Sequence, residues 1–245
     1  MKFSKLKVAL VVASAAFAST VSATVINPPP AGEESLQQVL DGITVGGTSS
    51  VNVNTDQVSN DSYWSIGGSG GSVTTFVIEL TANAASQSFG LFQYGNPSNY
   101  VSLFSGSDTT GAQKVISIDN SGEVFINYAD TGVNFGSNLF GYYVQPSATS
   151  GSWYSDTNQN SDGKDHMVAY QGTGTDTVQI GNWAPGTWGQ NEYVLGFEDG
   201  SDFDYQDMVV MVESVKPVPE PGSLALMGLG LVGLGIAYKR RKANA

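Results

Sequence analysis

The sequence predicts an all-β protein, an antiparallel β-sandwich of about ten strands with one short N-terminal helix. Three observations predict it. From residue 43 onward, short runs rich in Val, Ile, Phe, Tyr and Thr are separated by clusters of Gly, Asn, Ser and Asp, at intervals of roughly 8–12 residues. No second helical pattern alternates with these runs, which argues against a parallel α/β sheet. No fixed-period repeat suggests a propeller or β-helix, and a barrel is the competing all-β architecture. The 245 residues allow one domain of ordinary size, and the absence of cysteine removes disulfides, thiolate metal sites and a cysteine nucleophile.

Residues 1–23 read as a signal peptide. Lys2, Lys5 and Lys7 form a basic start, residues 8–17 an apolar run too short to span a membrane comfortably, and Val21-Ser22-Ala23 a set of small or slim residues ahead of cleavage between Ala23 and Thr24. Residues 24–32, with Pro28-Pro29-Pro30, read as an extended linker. The sandwich domain is expected over 33–216. It opens with a helix over 33–40, in which Glu33 and Glu34 suit a helix start, Leu36, Val39 and Leu40 share one face, and Gly42 ends the element.

Residues 72–81 are the clearest strand, with Thr74, Phe76, Ile78 and Leu80 toward the core and Val73, Thr75, Val77 and Glu79 on the other face. Residues 115–118 and 123–128 flank Asp119-Asn120-Ser121-Gly122, a hairpin pattern. Further strands are expected near 87–94, 100–104, 139–144, 166–170, 177–180, 192–197 and 208–215. The glycines of residues 67–72 precede neither a helix nor a Lys-Ser/Thr pair, so they mark a loop and not a phosphate cradle.

The formal net charge is −12. Of the 10 Lys and Arg residues only Lys114, Lys164 and Lys216 fall between Thr24 and Pro219, against all but one of the 22 acidic side chains. Such a surface repels phosphates, which excludes nucleic acid as a partner, and it favours cations.

The densest acidic stretch is Glu198, Asp199, Asp202, Asp204 and Asp207, interleaved with Phe203 and Tyr205 at a bend between two apolar runs. Crowded carboxylates repel unless a cation or water relieves them, and calcium takes six to eight hard oxygens, so a calcium site is expected here. A solvated acidic turn is the competing reading. A second candidate is Asp156, Asn158, Asn160, Asp162 and Asp165, whose alternating oxygens ending in Asp162-Gly163 resemble the start of an EF-hand loop. With Asn158 at position one, however, position twelve is Ala169 and not glutamate.

No catalytic set is expected. His166 is the only histidine, no Gly-x-Ser-x-Gly elbow accompanies it, and nothing distinguishes an acid from a nucleophile among the clustered carboxylates. Trp153, Trp183 and Trp188 lie in polar, glycine-rich surroundings. They are expected to plug the ends of the sandwich; the alternative is a carbohydrate-binding or glycan-hydrolysing module, with the rings shared on one exposed face.

Residues 217–245 form the tail. Pro219-Glu220-Pro221 is followed by uncharged residues to Tyr238 and then by Lys239-Arg240-Arg241-Lys242. As a helix the uncharged segment measures about 27 Å, close to the ~30 Å hydrocarbon core, and the basic end is expected to stay cytoplasmic. With the export signal at the other end, the precursor is expected to be anchored in the inner membrane.

This order of tripeptide, span and basic end resembles the PEP-CTERM sorting signal of Gram-negative bacteria. The resemblance implies that an exosortase-type protease reads Pro219, Glu220 and Pro221, after signal peptidase has acted at Ala23 and Thr24. It further implies tail removal and transfer to the cell surface or the exopolysaccharide matrix, where exopolysaccharide is a candidate partner that the sequence itself does not reveal. A permanent membrane anchor is the alternative. The stretch from Gly196 to Met208, with Asp162-Gly163-Lys164-Asp165-His166-Met167 upstream, looks like the hallmark of an uncharacterised secreted domain family, over about residues 135–215. Gln206, where asparagine is usual, and the short Gly200-Ser201 link depart from it. That likeness implies an all-β fold and calcium, with no established activity.

Overall fold

A computed structural model describes residues 23–68, 70–79, 85–219, 230, 231 and 233. The signal-peptide reading of residues 1–22, the side chains of Ile78, Glu79 and Leu80, and Glu220, Pro221 and the tail span lie outside the described residues. Among the described residues no helix is long and apolar enough to cross a membrane.

Among the described residues the named elements are the helix α1 (Leu36–Ile43) and the strands β1 (Trp64–Ile66), β2 (Ser72–Glu79), β3 (Ser88–Gln93), β4 (Asn96–Ser105), β5 (Gln113–Ile118), β6 (Glu123–Ile126), β7 (Ala129–Asn134), β8 (Phe140–Gln145), β9 (Trp153–Tyr154), β10 (Met167–Gln171), β11 (Thr177–Val178), β12 (Gly186–Thr187), β13 (Glu192–Phe197), β14 (Met208–Glu213) and β15 (Val215–Pro217). One sheet runs β10-β13-β14-β2-β5-β6-β7. The other runs β15-β1-β8-β3-β4, with β9 beside β8, and β11 and β12 form a separate ribbon. The pairings are antiparallel. The predicted hairpin is present, with Ile118 opposite Val124.

Strand alternation builds two cores. From β14, Met208, Val210 and Val212 point between the sheets, where they join Trp64, Phe89, Tyr142 and Phe197. Val209 and Met211 point the other way, into a second cluster with Leu36, Leu40, Val168 and Trp188. The seven-stranded sheet is therefore buried on both faces at its centre. This corrects the one-sided reading of β2, since Val77 and Thr75 are as buried as Phe76 and Thr74. The cause is α1 and its following loop, which roof the outer face with Leu36, Val39, Leu40, Ile43, Val51 and Val53.

The helix also begins later than expected. Ser35 is its N-cap in a capping box with Gln38, Gly42 lies inside it, and Glu33 and Glu34 precede it. The box satisfies two of the free N–H groups at the helix start, which acidic residues before the cap do not do.

Candidate metal centre

The acidic stretch is the loop from β13 to β14, at the end of the doubly covered sheet. A Cβ on Gly196, in β13, would meet the Tyr205 carbonyl oxygen at 2.5 Å and both Leu36 methyls at 3.2 Å. Glycine here lets the loop fold back against its own strand. Tyr205 is buried and donates its hydroxyl to the Asp165 carbonyl at 2.9 Å. Phe203 packs against the outer core, with the Lys164 ammonium 4.4 Å from its ring centre. Phe203 and Tyr205 have φ of 58° and 61°, a left-handed conformation that costs roughly 1–2 kcal/mol per residue and that the ring anchors offset.

Between these anchors the carboxylates gather. Glu198, Asp202, Asp204 and Asp207 each offer an oxygen, and the four lie within 4.8 Å of one another. Two oxygens bound to one calcium at ~2.3–2.6 Å stand at most about 5 Å apart, so the spacing suits a single ion. Glu198, Asp204 and Asp207 are buried, and Asp202 is open to solvent. Backbone donors hold the ring in place. Glu198 accepts the Gly200 and Asp204 N–H groups at 2.8 and 3.1 Å, and Asp207 accepts the Asp199 N–H at 2.8 Å.

Among the described residues no lysine or arginine pairs with these four carboxylates. Burial, and after it the charges of Asp202 and Asp204, push Glu198 up to about 7. Burial, then Asp199, Glu198 and Asp204, push Asp207 up to about 9. Burial also raises Asp204, against the bonds it accepts from Gln206. The site thus crowds carboxylates that no lysine or arginine among the described residues neutralises.

Asp199 stands apart from the four. Its carboxylate accepts Gln87 Nε2 at 2.7 Å and its carbonyl accepts Trp153 Nε1 at 3.0 Å, which tie the loop to the six-stranded sheet. Sequence reasoning missed Gln87 and Gln206. Gln206 donates to Asp204 at 3.0 Å and to Glu33 at 2.9 Å. The side-chain oxygens of both glutamines are buried with no hydrogen-bond partner. Gln206, bonded to Asp204, thereby brings a further hard oxygen beside the carboxylates. No sequence signal links Gln87 to Asp199, 112 positions away.

The second candidate loop is placed differently. Asp156 accepts the Tyr63 hydroxyl and caps a 3-10 turn over Thr157–Gln159 through the Asn158 N–H. Asn160 bonds the backbone of Tyr154 and Lys164, Asp162 accepts the Lys164 N–H, and Asp165 accepts Thr24 and Met167. These oxygens are spent on the loop's own backbone and neighbours, and the gathered group of four contains none of them.

His166 joins the two loops. It is fully buried and stacks on Trp153, with centroids 3.9 Å apart and planes 1° from parallel. Nδ1 lies 3.0 Å from the Glu198 carbonyl and Nε2 3.1 Å from the Asp162 carboxylate. Both partners are acceptors, so the ring bridges the two loops through its two nitrogens. The tryptophans do not share an exposed face: Trp188 is buried, Trp153 half-buried under His166, and Trp183 about half exposed at 51 %.

A family model described as "Domain of unknown function (DUF4114)" matches residues 43–215, and one described as "PEP-CTERM protein-sorting motif" matches residues 217–242. No curated protein matches the chain. Among solved structures, the Chromobacterium violaceum lectin CV2L, in complex with alpha-methyl-fucoside, is similar at 18% identity, over 64% of this chain and 97% of that one, with a TM-score of 0.29.

Proposed function

The chain belongs to the family described as a domain of unknown function, DUF4114, and ends in a PEP-CTERM protein-sorting motif; from that premise we propose that it is an exported, non-enzymatic surface protein whose sandwich is locked by calcium. The sorting motif implies an exported, membrane-associated precursor that an exosortase processes for the cell surface. In our reading signal peptidase cuts between Ala23 and Thr24, the exosortase acts at Pro219, Glu220 and Pro221, and the acidic domain is released to the surface or the exopolysaccharide matrix.

The observation that carries the calcium reading is the buried ring of Glu198, Asp204 and Asp207 with Asp202 at its rim, unpaired with any lysine or arginine among the described residues. All donors are hard oxygens, which suits calcium and not a soft metal. A bound ion supplies the missing positive charge, and the four carboxylates then hold β13, β14 and the N-terminal segment together. The residues of the 156–165 loop, Asp156 to Asp165, support the site from behind through His166 and Tyr205.

Thermal melting of the mature protein with calcium and with chelator tests this. An ion held at 100 times its dissociation constant adds about 2.7 kcal/mol, or a rise of roughly 5–10 °C for a domain of this size. An unchanged midpoint at millimolar calcium would overturn the reading.

A further inference from the structure

We propose that the pocket around Thr24 is a receptor for the α-ammonium that removal of residues 1–23 creates, so that cleavage of the leader completes the fold. The proposal rests on the export reading above and is independent of calcium.

Thr24 is held at three points. Its N–H donates to Gln57 Oε1 at 2.7 Å, its carbonyl accepts Gln57 Nε2 at 2.8 Å, and its hydroxyl donates to Asp165 Oδ2 at 2.8 Å. A second bond from Gln57 Nε2 to the Val53 carbonyl, at 3.1 Å, fixes the clamp. The residues on either side are exposed, Ala23 before it and Val25 after it. A cavity of about 160 Å³ opens at this point, lined by Ala23, Thr24, Gln57, Asp61 and Asp165 among others, with no lysine or arginine in its wall.

Hydrolysis of the Ala23–Thr24 bond places the oxygen of water on the Ala23 carbonyl carbon, as a carboxylate. Both protons go to the Thr24 nitrogen, which becomes an ammonium. One N–H already engages Gln57; the two new donors have Asp61 and Asp165 as acceptors in the same cavity. Before cleavage both acids line the cavity with no lysine or arginine in its wall. Burial, and then Asp165, hold the Asp61 carboxyl well above its usual range, and burial raises Asp165 against the bonds from Thr24 and Met167. An ammonium relieves both.

The docked end also reaches the acidic loop. The Asn27 N–H donates to the Phe203 carbonyl at 2.8 Å, and its side chain bonds the Asp202 carbonyl. A clamped N-terminus therefore straps the loop that carries Glu198 and Asp207.

The test uses protein recovered after export. Intact mass establishes whether the chain begins at Thr24, and a different first residue overturns the processing reading and the proposal with it. With Thr24 confirmed, the rate of α-amine acylation is compared in native protein, in urea and in the Asp165→Asn variant. We expect the native amine to react at least about tenfold more slowly than in urea, and Asp165→Asn to recover much of the difference while still melting cooperatively. A native rate equal to that in urea overturns the receptor while leaving the processing reading intact. As a second variant, one glycine inserted before Thr24 displaces the ammonium and is expected to lower the melting midpoint; an unchanged midpoint counts against the proposal.

Discussion

Asp207 accepts the backbone N–H of Asp199 at 2.8 Å, so the last carboxylate of the acidic loop also pins its first turn. Asp207→Asn keeps an acceptor for that N–H and removes the charge. In chelator the variant is expected to melt at or above the wild-type midpoint, because Asp207, pushed up to about 9, must take up a proton to be buried at neutral pH and an amide need not. The rise on adding calcium is expected to shrink by half or more. A full calcium response in the variant would remove Asp207 from the site.

Glu198 and Asp207, with folded values near 7 and 9 against ordinary values of 4.5 and 3.8, set a pH dependence. Each binds its proton more tightly in the folded state. Its contribution is complete below its unfolded value and is lost as pH rises through the folded one. In chelator the midpoint is therefore expected to fall as pH is raised from about 5 to about 9. On the proposed calcium reading the ion takes the deprotonated ring, so the midpoint gain it gives is expected to grow over the same range. Melts in chelator and in calcium across that window check both slopes, and a chelated midpoint that climbs with pH contradicts the assignment.

Gly196→Ala forces the Tyr205 carbonyl away from a Cβ that would lie 2.5 Å from it. Overpacking of this kind costs about 1–3 kcal/mol. Urea unfolding is expected to show that loss together with weaker calcium stabilisation, since the displaced backbone belongs to the acidic loop.

His166→Ala removes the Trp153 stack and the contacts to Glu198 and Asp162. A loss of about 2–3 kcal/mol is expected from the buried acceptor left behind and the vacated space. Fluorescence of Trp153, relieved of its stacked partner, is expected to change in the native state; an unaltered spectrum would argue against the stack.

Ser35→Ala breaks the capping box with Gln38 and is expected to cost about 1 kcal/mol by chemical unfolding. The variant should leave the calcium response intact, because Ser35 touches none of the four carboxylates.

Much of the sandwich was legible because period-2 alternation marks a strand regardless of its partner. Strand β14 illustrates this: Met208, Val210 and Val212 face one core and Val209 and Met211 the other. What alternation does not carry is what covers each face, so the roof that α1 places over Val77 was invisible. Strands of two residues, such as β9 and β12, owe their existence to a neighbour and carry no pattern of their own. The acidic ring was legible because Glu198, Asp202, Asp204 and Asp207 are close in sequence. Gln87, which meets Asp199 only through the fold, was not. The 156–165 loop has the composition of a cation site, but short polar side chains bond nearby backbone readily, and there they do.

The most direct measurement is isothermal titration of the mature protein with calcium, alongside Asp204→Asn. The account predicts saturable binding of one ion per chain at or below about 1 mM, the range of extracellular calcium modules, and its loss in the variant. No binding by the wild-type protein, or equal binding by the variant, would contradict it.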